Sequence, residues 1–127
     1  MPAPQRILIL NDEEDGLLLL RHALHREFPG VEVVECTEAE SALNQLHDAP
    51  VDAIVTDNRM PKVTGIEFVR RLRQWNQTTP VIMLTGSDEK KAEAKAAGVT
   101  TFITSGSWLE IRERIRMTLE RQSSAAG

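Results

Sequence analysis

The sequence predicts a single α/β domain, a three-layer sandwich in which a parallel five-stranded sheet carries helices on both faces. Three observations predict it. Short β-branched runs alternate along the whole chain with stretches whose apolar residues recur at helical spacing. The strand-like runs are apolar almost throughout, the pattern of strands covered on both faces. The 127 residues are one domain's worth, enough to bury a core without disulfides or metal staples.

Each element can be justified in order. Residues 6–10 (RILIL) read as the first strand. Leu17, Leu20, Leu24 and Phe28 then follow at helical spacing until Pro29 and Gly30 stop the helix. Residues 31–35, mostly valine, are the second strand. The second helix carries Ala39, Ala42, Leu43 and Leu46 on its inner stripe, with Thr37 as its expected N-cap. Residues 51–56 form the third strand, ending directly at Asp57. A loop spans 58–64, and the helix opening at Gly65 turns Ile66, Val69, Leu72 and Trp75 inward.

Residues 80–84 are the fourth strand. The segment 88–97 is a helix of Ala, Lys and Glu with little large apolar surface, closed by Gly98. Residues 100–104 are the fifth strand, and Trp108, Ile111, Ile115 and Leu119 form the stripe of the last helix. One domain is expected over 1–127, with its core over about 5–121 and a small polar tail at 122–127.

Composition narrows the function. Hydrophobic residues make up 41% and charged residues 27%, with a net charge of −4, which places the chain among globular proteins. No basic stripe marks a nucleic-acid surface, because the arginines of 112–121 alternate with Glu113 and Glu120. No apolar run approaches the ~20 residues of a membrane span, and the N-terminus lacks a signal-peptide core. The single cysteine, Cys36, excludes an internal disulfide and a zinc cluster. It is expected to fill space at a strand end. Together these features point to the cytoplasm. His22, His25 and His47 fall on helices away from the strand ends and are expected at the surface.

In a parallel sheet of this kind, chemistry sits at the carboxyl ends of the strands. Strand one ends in Asn11, Asp12 and Glu13, strand three in Asp57, strand four in Thr85, and strand five in Thr104 and Ser105. Brought together, Asp12 and Asp57 repel unless a cation lies between them, and all-oxygen ligation suits Mg²⁺. A carboxylate beside such an ion can attack a phosphoryl group, with the Thr85 hydroxyl donating to the same oxygens. Taken singly, Asp12 or Glu13 reads better as a helix cap and Thr85 as a turn residue; the joint placement of Asp12, Asp57 and Thr85 carries the argument. No P-loop, dinucleotide fingerprint or nucleophile elbow occurs.

Residues 51–61 (VDAIVTDNRMP), with Gly65 beyond the proline, resemble the phosphoacceptor segment of bacterial response-regulator receiver domains. Residues 7–13 (ILILNDE) resemble the acidic-pocket strand of that family, and 80–86 (PVIMLTG) its fourth strand with the switch hydroxyl. The resemblance covers nearly the whole chain. It implies the flavodoxin-like fold with strand order 2-1-3-4-5, Asp57 as phosphoacceptor, and Mg²⁺ (or Mn²⁺) held by Asp12, Asp57 and the backbone carbonyl of Arg59. It also implies Thr85 and Phe102 as the switch pair, whose side chains turn when the acceptor is phosphorylated.

The pattern departs from the family in the same pocket. Asn11 stands where a second acid is usual, Ser105 where a lysine is usual, and Gly106 where a proline usually follows. Losing one acid and one base together leaves two carboxylates and a divalent ion, which still sum to zero; Glu13 upsets that count if it points inward. Arg59 is either a substitute cation or an exposed loop arginine.

The resemblance implies a signalling domain rather than an enzyme, with at most self-phosphorylation from small donors and self-dephosphorylation. Its donor would be a histidine kinase or phosphotransfer protein. A downstream protein would read the helix 4–strand 5–helix 5 face. The alternative is a pseudo-receiver, an interaction module of the same fold working without phosphorylation; Asp12, Asp57 and Thr85 favour the first, Asn11 and Ser105 the second. The face bearing Arg112, Glu113, Arg116 and Glu120 leaves open a solvated monomer or a weak homodimer.

Overall fold

A computed structural model of the chain describes residues 5–104 and 106–126, with side chains as far as Gln122. Five parallel strands, β1 (Arg6–Leu10), β2 (Glu32–Cys36), β3 (Ala53–Asp57), β4 (Val81–Leu84) and β5 (Thr101–Ile103), stand in the order β2-β1-β3-β4-β5. Between and after them run α1 (Glu14–Glu27), α2 (Ala39–Asp48), α3 (Gly65–Arg73), α4 (Lys91–Ala97) and α5 (Trp108–Ala126). The expected flavodoxin-like order is the one observed.

The sheet splits the core in two, as the strict alternation of strand side chains requires. Leu8, Ile54, Val81 and Met83 face Leu46, Phe68, Val69 and Leu72 of α2 and α3. Ile7, Ile9, Val55 and Ile82 face Leu17, Leu24, Ile115 and Leu119 of α1 and α5. Phe68, fully buried, contributes about 1.5–3 kcal/mol by leaving water.

Several elements differ from the expectation, each for a local reason. The N-cap of α2 is Glu38, without a side-chain cap bond, rather than Thr37, which is exposed. Helix α4 starts at Lys91 rather than 88, because Ser87 Oγ accepts the Glu89 N–H and the Lys91 N–H donates to the Asp88 carbonyl, holding a turn there. Trp75 lies beyond the end of α3, largely exposed, and stacks on His47 with ring centroids 3.7 Å apart. The last helix runs on to Ala126, through the stretch expected to be a tail, and Gln122 donates to the Asp52 carbonyl at 3.3 Å.

Arg73 links α3 to the far end of α4. Its Nε and Nη2 donate to the Gly98 carbonyl at 3.1 and 2.9 Å, and Nη1 donates to the Asn76 carbonyl at 3.1 Å. Gly98 ends α4 in the left-handed region, φ +115°. On α5, Arg116 pairs with Glu113 and Glu120 of the same helix, and Arg112 reaches Glu27 of α1 at 3.5 Å. The charged face of α5 is thus satisfied within one chain. His22, His25 and His47 are exposed, as expected.

Candidate functional site at the carboxyl edge of the sheet

Register brings the strand ends level. Leu10 pairs with Thr56, Asp57 with Leu84, and Leu84 with Ile103, so Asn11, Asp57, Thr85 and Thr104 surround one cleft of about 380 Å³. Thr56, Gly86 and Gly106 also line it, together with Ile9, Leu17, Leu20, Val55, Leu84 and Ile111. Asp57 is the one ionisable group among the described residues of this lining.

The turn after β3 is built around Asp57. Its Oδ1 accepts the Arg59 N–H at 3.2 Å, and its carbonyl accepts the Thr56 hydroxyl at 2.9 Å. The second carboxylate oxygen, Oδ2, accepts nothing from the described residues. Asn58 ties the turn to the next helix: its Oδ1 accepts the Ile66 N–H at 3.0 Å and its carbonyl accepts the Gly65 N–H at 3.0 Å. Thr64 caps α3 by accepting the Glu67 N–H at 3.1 Å. A side chain at Gly65 would collide with the backbone of Asp57 and Asn58, so glycine is a steric requirement there.

Asn11 is held from both sides. Its Oδ1 accepts the Glu13 N–H at 2.9 Å, and its amide nitrogen packs where Gly16 leaves room, 2.9 Å from the position a Cβ would take. Asp12 and Glu13 are exposed and do not line the cleft. The Arg59 side chain is exposed and also outside the lining, in keeping with a loop arginine rather than a substitute cation. Phe102 is half-buried against the α2–α4 side of the core. Thr85 donates its backbone N–H to the Ile103 carbonyl at 3.1 Å. Gly106 is exposed with open space around it. Ser105 lies outside the described residues.

The donors at this edge, Asp57, Asp12 and the Arg59 carbonyl, are all hard oxygens, a set that fits a hydrated Mg²⁺ held by few protein ligands. No group of three or more His, Cys, Asp or Glu side chains able to hold a metal occurs among the described residues, so water must complete the coordination. Sequence reasoning missed Thr56, Leu17, Leu20 and Ile111 as parts of the cleft. The signal for them is long-range, since it depends on which helix faces strands β1 and β3.

A cysteine near this edge takes no part. Cys36, at the end of β2, is buried, and burial pushes its thiol up to about 11.

A parallel five-stranded sheet of this order, with a solvent-facing aspartate at the end of its central strand and a threonine across the cleft, defines a receiver-type signalling domain. The model of the response regulator receiver domain matches residues 7–107, and the chain belongs to that family. It is 34% identical over 125 residues to the alkaline phosphatase synthesis transcriptional regulatory protein PhoP of Bacillus subtilis, covering 96% of this chain and 51% of that protein. The chain spans about half the length of this PhoP and of the KDP operon transcriptional regulatory protein KdpE of Escherichia coli. Among solved structures, the Vibrio cholerae chemotaxis protein CheY4 superimposes with a TM-score of 0.79 at 32% identity, over 94% of this chain and 98% of that one. The Francisella response regulator 1452 receiver domain gives 0.82 at 26% identity, over 92% and 98%. Receiver domains are signalling modules, and response regulators receive phosphate from histidine kinases. No described helix is long and apolar enough to cross a membrane.

Proposed function

We propose that Asp57 is the phosphoacceptor of this receiver and that its state is read at the α4–β5–α5 face. One observation supports this most directly: Asp57 lines the cleft and the Arg59 N–H engages Oδ1, leaving Oδ2 without a partner among the described residues. In the transfer, Oδ2 attacks the phosphorus of a phosphohistidine on a kinase or phosphotransfer partner. The P–N bond breaks, its electron pair leaves with the imidazole, and an acyl phosphate forms on Asp57. A small donor such as acetyl phosphate reacts likewise with acetate leaving, which is the self-phosphorylation open to this site; attack of water on the phosphorus breaks the bond to Asp57, releases inorganic phosphate and restores the carboxylate, which is self-dephosphorylation.

Receiver domains bind Mg²⁺, and here Asp57, Asp12 and the Arg59 carbonyl would hold it. When bound, such an ion neutralises charge on the phosphoryl oxygens. Thr85 donates its hydroxyl to one of those oxygens, and the movement this requires is passed to Phe102, whose strand neighbour is Met83 on β4. Signalling then amounts to a shift between two states, in proportion to the contacts that differ between them. The cytoplasm is the compartment in which a histidine kinase would meet this chain.

The test is acetyl phosphate with Mg²⁺ followed by intact mass. A gain of one phosphoryl group, lost in Asp57→Asn, is expected. No gain under any donor would leave the chain an interaction module of the same fold.

A further inference from the structure

Beyond accepting phosphate, the cleft has the chemistry of a cation site with an apolar sleeve. Its walls are Leu17, Leu20, Val55, Leu84 and Ile111, and the only ionisable group of its described lining is the Asp57 carboxylate. One oxygen of that carboxylate, Oδ2, has no partner among the described residues, and no Lys or Arg lines the cleft among them. Gly86 and Gly106 both line it, and a Cβ on either would meet nothing within 4 Å. A volume of about 380 Å³ lies in the range of small-ligand sites.

Each feature narrows the occupant. An apolar sleeve selects an aliphatic stem, and a lone carboxylate at its head selects a cation. Thr104 supplies a hydroxyl oxygen in the lining that can accept from a second N–H. A primary ammonium offers three donors from one point, whereas a guanidinium gains most from a bidentate carboxylate, and Oδ1 is already engaged by Arg59 N–H. Long amines place stem and head in this way at protein surfaces, with methylenes on apolar ground and charge outward.

We infer that this cleft binds a primary alkylammonium group, its stem along Leu17, Leu20 and Ile111 and its head at Asp57. Two sources carry that group, a free amine and a lysine side chain on another protein. Binding depends on Asp57 lying in the cleft and not on its phosphorylation.

The experiment is an amide-shift titration of the full chain at neutral pH without Mg²⁺. The probes are n-butylammonium, n-butanol of the same length, and Nα-acetyl-lysine methylamide. The expected result is that n-butylammonium moves the amides of Asn11, Asp57, Thr85 and Thr104, and that Asp57→Asn weakens it about tenfold, as loss of one charged hydrogen bond would. Binding of n-butanol, by contrast, should be indifferent to Asp57→Asn. Equal binding of the lysine derivative assigns the site to a protein-borne lysine; binding of the bare amine alone assigns it to a free amine. Either result sustains the site.

The inference is overturned if n-butanol binds wild type as tightly as n-butylammonium, or if the amine shifts survive Asp57→Asn unchanged. Phosphate uptake is scored separately by mass. Amine binding without phosphorylation would sink the phosphoacceptor reading alone, and phosphorylation without amine binding would sink this inference alone.

Discussion

Gly65 and Asp57 are in backbone contact: a methyl group at residue 65 would overlap the Asp57 carbonyl oxygen and lie 2.9 Å from the Asn58 Cα. Nothing flexible stands there to yield, so Gly65→Ala must displace the turn that presents the Asp57 carboxylate. The expected cost is about 1–3 kcal/mol of stability, the usual range for overpacking, with slower phosphate uptake from acetyl phosphate. Urea unfolding alongside the mass assay checks both; an alanine variant as stable as wild type would show that the turn gives way.

Arg73 satisfies two carbonyls at once, those of Gly98 and Asn76. Arg73→Met keeps much of the aliphatic packing but removes three donors. A loss of about 2 kcal/mol is expected, the scale of hydrogen bonds to a charged group. Faster amide exchange should appear in α4 and its following turn before it appears in β1 or β3. Uniform exchange across the sheet would argue that α4 is not the element this arginine secures.

Burial raises the Cys36 thiol from its ordinary 9.0 to about 11. In the unfolded chain the thiol ionises first, so its contribution to stability is full below pH 9 and declines as pH rises from about 9 to 11. Cys36→Ala should flatten that part of the stability curve relative to wild type, and native protein at pH 8 should resist iodoacetamide. Rapid labelling of the folded chain would contradict the burial.

Mg²⁺ affinity should be modest, because the Asn11 amide brings no charge and its Oδ1 is engaged by Glu13 N–H. Asp57→Ala and Asp12→Ala should each weaken binding about tenfold or more, and Asn11→Asp should strengthen it by a similar factor. Titration followed by amide shifts gives the ranking. Unchanged affinity in both alanine variants would remove these residues from the ligand set.

A phosphoryl mimic should produce a partial response in wild type, because residue 105 is a serine where receiver domains usually carry a lysine. Ser105→Lys, alone and with Asn11→Asp, should enlarge the amide-shift changes over residues 85–119, Phe102 included. If wild type already matches the double variant, the lost lysine is silent.

Much of this molecule was readable from residue order. Strand ends fell within two residues because apolar runs such as 7–10 and 81–84 are bounded by polar residues or proline. Asn11, Asp57 and Thr85 meet in one cleft once the strand order implied by the resemblance sets β1, β3 and β4 side by side. Asp12 was not: directly after Asn11, it is exposed and outside the lining, a distinction of side-chain direction that spacing does not encode. The start of α4 was misjudged because Ser87 and Asp88 form a turn that competes with helix. Trp75 continued the stripe of α3 on paper, but Gln74 ends the helix, and the indole packs on His47 instead. The tail residues are small and polar, yet they extend α5; their helical state follows from the docked turns before them rather than from their own propensity.

The stack of Trp75 on His47 also matters for how this protein can be watched. The chain has two tryptophans. Trp75 follows α3, at the edge of the sheet where strands begin; Trp108 opens α5, at the edge where they end, with its indole N–H buried and unpartnered among the described residues. In emission these are two lamps in different rooms. Light from Trp75, resting on an imidazole, reports on its own corner, whereas Trp108 packs into the α1–α5 side of the core one turn before Ile111 of the cleft lining, so a Trp75→Phe chain would carry a single optical gauge at the carboxyl edge.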